Sequence, residues 1–173
     1  MITQELLDIV NRNDKVVSND TKANKFDKGL ISRNVGVFIM DEQHRILIAK
    51  RSMEKKSFPG RLDLSACGNV KKGESYEAAA KREVKEELGI DCDLEFLDKI
   101  YNELNENKNK SPIRYFTGLF MGRHSGNVKL NEELTEAKRL SIAEIEKMLS
   151  QNKESFSPGF VNDFQHIKNM LKY

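Results

Sequence analysis

The apolar pattern of the chain predicts an α/β or α+β layered sandwich. Three observations carry that expectation. Residues 34–40 (Asn-Val-Gly-Val-Phe-Ile-Met) and 45–49 are dense apolar runs of strand length. Residues 75–88 switch to an apolar repeat of four, with Tyr76, Ala80, Val84 and Leu88 in one stripe. Strand-like runs return at 93–101 and 113–121, followed by two helix-start signals. Strands outnumber helices, so the helices must cover the faces of a sheet. The length of 173 residues suits a single domain. Its expected parts are an N-terminal hairpin and linker (1–32), a core (33–150) and a C-terminal helix (151–173).

In chain order, residues 5–10 and 15–18 are short apolar runs around the turn residues Asn11-Arg12-Asn13-Asp14, a hairpin pattern. Residues 19–32 lack a period and read as a loop or short helix. The runs at 34–40 and 45–49 flank Asp41-Glu42-Gln43-His44, a second hairpin whose strands are apolar enough to be buried on both faces. Pro59-Gly60 marks a turn, and the alternation of Leu62, Leu64 and Ala66 suits a strand. The helix at 75–88 is punctuated by Ser75 as N-cap and Gly89 beyond its end. Residues 127–139 are polar and read as no element. Ser141-Ile-Ala-Glu144 is a capping box opening a helix to about 150. Ser157-Pro158 opens a last helix to about 171.

Composition excludes several classes. Hydrophobic residues at 38% and charged residues at 32% suit a soluble chain. A net charge of +2 gives no global field for steering nucleic acid, so none is expected as a partner. No run has the apolar length to span a bilayer, and the N-terminus lacks the pattern of a signal peptide. Cys67 and Cys92 read as free thiols. The expectation is a cytoplasmic protein without a membrane partner.

The helix at 75–88 breaks two rules of stable design. Glu83, Glu86 and Glu87 stand three and four residues apart, which crowds carboxylates on one face. Glu86 and Glu87 also lie in the last turn, at the negative end of the helix dipole. Conflicts of this kind are expected at functional sites. Mg²⁺ takes oxygen ligands and is held by a few carboxylates together with substrate phosphates, so it would relieve the repulsion. The bland alternative is a solvated face paired by Glu77–Lys81 and Arg82–Glu86.

Upstream residues decide between the two. The segment reads Gly68-x5-Glu74-x7-Arg82-Glu83-Val84-x-Glu86-Glu87-x-Gly89-Ile90, nine defined positions over 23 residues. This resembles the signature of the Nudix hydrolases at every defined position. The resemblance implies a Nudix-type α/β/α sandwich with a mixed central sheet, here with an N-terminal β-hairpin extension. It implies that Glu83, Glu86 and Glu87 ligate Mg²⁺, or Mn²⁺ in its place, helped by the Gly68 carbonyl. Arg82 and Glu74 would orient the carboxylates. The implied reaction is water attack on phosphorus in a nucleoside di- or triphosphate, or in a nucleoside diphosphate linked to another group. Glu83 is the candidate base inside the signature, and Glu133 and Glu136 are distal candidates. The partner is then a small-molecule diphosphate. Many family members dimerise, and the N-terminal hairpin could serve as a homodimer interface, although no exposed apolar stripe demands one.

A weaker resemblance, to type I isopentenyl diphosphate isomerases, rests on Lys50-Arg51-Ser-Met-Glu-Lys55-Lys56-Ser-Phe-Pro59-Gly60 and Ser65-Ala66-Cys67-Gly68. It implies that Arg51 and Lys55 grip a diphosphate and places Cys67 where the isomerases keep a catalytic cysteine. The chain departs from that pattern at its metal site. Asn69 stands where a histidine is expected, Gly29–Ser32 has no histidine, and Ile113, Arg114 and Tyr115 stand where glutamates are expected. Isomerase activity and nucleotide sensing without catalysis are the alternatives to hydrolysis. Substrate choice is expected to lie in loops 102–112 and 123–133. Tyr101 or Phe116 could stack a base, although strand aromatics more often fill a core.

Overall fold

The computed structural model describes residues 5–105 and 111–172. Their order is β1 (Leu6–Val10), β2 (Val16–Thr21), α1 (Lys22–Asp27), β3 (Ile31–Met40), β4 (Arg45–Arg51), β5 (Leu62–Asp63), β6 (Ala66–Asn69), α2 (Tyr76–Leu88), β7 (Leu94–Leu104), β8 (Ile113–Arg123), β9 (Leu134–Ser141), α3 (Ile142–Gln151) and α4 (Pro158–Ile167). Short 3₁₀ turns follow α3 and α4 at Lys153–Ser155 and Met170–Lys172.

β3 is the spine. It runs parallel to β8 from Ile31↔Arg114 to Met40↔Arg123, and β8 pairs antiparallel with β7. The other edge of β3 is shared. Residues 34–37 pair with β6, and the tip pairs with β4 through Met40↔Ile46. The mixed sheet therefore opens between β6 and β4, beside the segment that carries Cys67 and Gly68. The hairpin expected at 34–49 exists only at its tip, because β3 keeps most of its edge for β6.

Alternation along β3 divides the core. Val35, Val37 and Ile39 face α2, packing with Ala79, Ala80, Val84 and Leu88. Phe38 and Met40 face the other way, against Ile145 of α3 and Phe160, Phe164 and Ile167 of α4. This is a mixed sheet with helices on both faces, an α/β/α sandwich. The rings of Phe156, Phe160 and Phe164 stack in a column, at centroid distances of 4.9 and 5.5 Å.

The N-terminal hairpin forms, with β1 antiparallel to β2. Leu7, Ile9 and Val10 are buried, and Arg33 donates to Asp14 (2.6 Å), which fixes the hairpin turn to the sheet. The aperiodic linker becomes α1, N-capped by Thr21, whose side chain accepts from the Asn24 amide. Four further expectations need correction. Residues 127–139 contain the start of β9, which pairs with β4; as an edge strand it is charged and lacks an apolar alternation. The strand expected at 61–66 is split into β5 and β6. The last helix stops at Ile167 rather than near 171. Part of the loop expected at 102–112 is strand, since β7 runs to Leu104, and its residues 106–110 lie outside the described residues. Among the described residues no helix is long and apolar enough to cross a membrane.

Candidate active site

The site is assembled where β6 passes over α2. Ser75 caps α2, and Gly89 at φ +66° ends it in the left-handed region. Between these caps the helix turns Glu83 and Glu87 inward, burying both. Gly68 makes room for the first. A Cβ at Gly68 would lie 2.0 Å from Glu83 Oε1, so the carboxylate rests directly on the glycine backbone. Cys67, one residue earlier, donates its backbone N–H to Glu87 Oε2 at 2.9 Å.

Arg82 locks the cluster. Its Nε and Nη2 grip Glu74 Oε1 and Oε2 at 2.8 and 2.9 Å, a bidentate pair. Nη2 also donates to the Asn69 carbonyl (2.9 Å), while Nη1 donates to Glu83 Oε1 (2.6 Å) and Glu86 Oε2 (3.3 Å). Glu74 accepts in addition from the Lys71 amide at 3.0 Å. Glu86 is the exposed member.

Burial dominates the electrostatics. It raises Glu83 to about 7, with Arg82 opposing and Glu86 and Glu133 adding to the rise. It raises Glu87 to about 8, although the Cys67 N–H favours the charged form. Two buried carboxylates pushed toward neutrality mark a place built for added positive charge. The donor set is entirely oxygen, which suits a hard divalent cation. Among the described residues, however, no three Asp, Glu, His or Cys side chains converge on one point. Glu83 and Glu86 lean on Arg82, and Glu133 leans on Lys55.

Arg82, Glu83 and Glu86 of the cluster line a cavity of about 720 Å³, and Glu74 and Glu87 lie behind them. Its wall includes Gly68, Arg82, Glu83, Glu86, Glu133, Arg51 and Lys55. Arg51 is already engaged, donating to Asp63 (3.0 Å) and to the Ser57 carbonyl (2.8 Å). Lys55 and Glu133 form an ion pair; burial pushes the Glu133 carboxyl up, but Lys55 holds it below its usual range. Glu136 is elsewhere. It stands on β9 opposite Lys50, exposed and 3.7 Å from Lys50 Nζ, outside the cavity wall. Tyr101 and Phe116 pack on each other at 5.3 Å and also lie outside it. Cys67 lines the cavity, and burial pushes its thiol well up, away from the thiolate.

Two wall residues escaped sequence reasoning. Lys25 of α1 is 4% exposed, and its Nζ donates to Ser32 Oγ (3.0 Å) and Asn69 Oδ1 (2.6 Å). Nothing in the lysine-rich run Lys22–Lys28 distinguishes it from its exposed neighbours. Asp163 of α4 is 2% exposed, accepts from Asn102 at 3.0 Å, and is raised to about 7 by burial. Its signal was readable: it falls within the apolar stripe of Phe160, Phe164 and Ile167.

Comparison with known proteins agrees with this geometry. The NUDIX domain family model matches residues 30–160. A Nudix hydrolase of Deinococcus radiodurans is 37% identical over 92 residues, 53% of this chain and 54% of that protein. Isopentenyl-diphosphate Delta-isomerase 2 of Photorhabdus laumondii is 28% identical over 172 residues, covering 98% of this chain and 93% of that one. The crystal structure of a MutT protein from Methanosarcina mazei superimposes with a TM-score of 0.65 at 27% identity, over 83% of this chain and 96% of that chain. With the signature, the sandwich and the clamped glutamates in one place, the chain belongs to the NUDIX domain family.

Proposed function

We propose that the protein is a Mg²⁺-dependent hydrolase that cleaves the diphosphate linkage of a nucleoside di- or triphosphate, or of a nucleoside diphosphate joined to another group, by water attack on phosphorus. The observation that carries this reading is the buried Glu83 carboxylate in the cavity wall, held by Arg82, with Glu87 buried behind the wall on the Cys67 N–H. Glu83, Glu86 and Glu87 would hold the ion, with the Gly68 carbonyl beside them. When bound, the ion neutralises phosphate charge and acidifies water.

The chain's own groups do the rest. Arg82 and Glu74 fix Glu83 so that its lone pairs keep one direction. Glu83 is the candidate to accept the proton of the attacking water. Lys55 and Arg51 line the same cavity and would bind the phosphates, with Glu133 and Asp63 setting their positions. Mn²⁺ fits the same oxygen donors.

The isomerase reading is the alternative, favoured by near full-length similarity to an isomerase of Photorhabdus laumondii. The site argues against it. Asn69 and Ser32, in the segments where that pattern has histidines, accept hydrogen bonds from a lysine instead. Incubation with nucleoside diphosphates, nucleoside triphosphates, ADP-ribose, diadenosine polyphosphates and isopentenyl diphosphate, with and without Mg²⁺, tests the reading by chromatography of the products. Mg²⁺-dependent cleavage supports hydrolysis; conversion of isopentenyl to dimethylallyl diphosphate replaces it with isomerisation.

A further inference from the structure

Lys25 is a buried cation held by neutral acceptors. Its two hydrogen-bond partners are Ser32 Oγ and Asn69 Oδ1, its ammonium lies 4.9 Å from the Phe26 ring centroid, and among the described residues no carboxylate forms an ion pair with it. Lys22 and Lys56 of the same wall are exposed and solvated, whereas its buried and half-buried cations are compensated: Arg82 by Glu74 and Glu83, Arg51 by Asp63, Lys55 by Glu133, Lys71 by Glu5. Buried charges are normally paired, and an unpaired ammonium is costly. The cost is visible here, since burial pulls Lys25 down to about 7. A fold that needed only a tie between α1, β3 and β6 would be better served by an amide or an apolar side chain.

Position supplies the reason for keeping the charge. Lys25 lines the cavity, and its partner Asn69 is the residue whose carbonyl takes Arg82 Nη2 at 2.9 Å. One residue thus joins the ammonium to the clamp on Glu83. An ammonium has three donors, and two are used. We propose that Lys25 is an anion anchor, its remaining donor and charge binding a phosphate group of the substrate next to the one held at the glutamate cluster. It would act as a positioning residue for that diphosphate. The inference builds on the diphosphate reading of the site but concerns a different residue and a different measurement.

Inorganic pyrophosphate is the probe, titrated calorimetrically into the whole protein without divalent ions. Lys25→Met is compared with Lys28→Met, an exposed lysine on the same segment that pairs with Asp20. The expected result is at least a tenfold loss of pyrophosphate affinity in Lys25→Met, an unchanged affinity in Lys28→Met, and a Lys25→Met melting temperature no lower than that of the wild type. Affinity within twofold of the wild type in Lys25→Met, or no millimolar binding by the wild type, overturns the proposal. A merely structural lysine would lower the melting temperature and leave the affinity alone. If Lys25→Met does not fold, the ¹⁵N resonance of the Lys25 ammonium in the wild type must shift at saturating pyrophosphate, and an unmoved resonance overturns the proposal. Pyrophosphate binding that depends on Lys25, in a protein that cleaves nothing with Mg²⁺, would sink the hydrolase reading and leave the anchor standing.

Discussion

Glu83 rests on Gly68: a single methyl group at position 68 would stand 2.0 Å from Glu83 Oε1 and 2.2 Å from its Cδ. Two positions of the signature fifteen residues apart are thereby one steric unit. Gly68→Ala should push the carboxylate off its Arg82 contact, lower kcat by about 10²-fold or more, and cost roughly 1–3 kcal/mol. Activity assays beside circular dichroism check this. Wild-type turnover in a folded Gly68→Ala protein would mean that Glu83 need not sit where it does.

Arg82 grips Glu74 with two parallel hydrogen bonds, which a lysine cannot reproduce. Arg82→Lys should reduce kcat by about 10–100-fold, the usual range for a residue that orients metal ligands. Glu74→Gln should fall in the same range, and the double variant should lose no more than the worse single one. Fully additive losses would show that the two act separately.

The proton acceptor can be separated from its neighbours. Glu83→Gln should lower kcat by about 10³-fold or more. Glu133→Gln should lower it less than about tenfold, chiefly by releasing Lys55 and raising KM. Glu136, exposed on β9, should tolerate Gln with kcat within about twofold of the wild type. If Glu133→Gln falls as far as Glu83→Gln, the base is Glu133.

Asp163 gives a pH signature. Burial raises its folded pKa from 3.8 to about 7, so the fold holds this proton more tightly than the unfolded chain does. Its contribution to stability is therefore fully present below about pH 4 and is lost as pH rises through 7. Asp163→Asn keeps an acceptor for Asn102 and removes the titration. It should match the wild type near pH 4 and melt about 2–8 °C higher at pH 8. Equal melting temperatures at both pH values would show that Asp163 carries no such penalty.

The site was legible in the sequence where local pattern and chemistry coincide. The carboxylate spacing of Glu83, Glu86 and Glu87 violates helix design on its own, and Gly68, Glu74 and Arg82 fall at fixed distances from it. The caps Ser75 and Ser141 were equally local and both bond as expected. Features made by tertiary docking were not legible. Lys25 looks solvated until α1 packs it between β3 and β6. β9 has few apolar residues because β4 alone pairs with it, so its pattern reads as a loop. The placements of Glu133 in the cavity wall and Glu136 outside it follow from that strand, and no spacing rule distinguishes them.

In the proposed function, hydrolysis runs through the glutamates of α2 and not through the cysteine. The most direct measurement is Mg²⁺-dependent kcat on the best diphosphate substrate for the wild type, Glu86→Gln, Glu87→Gln and Cys67→Ala, with circular dichroism confirming the fold of each. Loss of about 10³-fold or more in both glutamine variants, with Cys67→Ala within a few-fold of the wild type, is the expected result. Glutamine variants that turn over normally, or activity that vanishes with Cys67 alone, would rule out a glutamate-run hydrolysis.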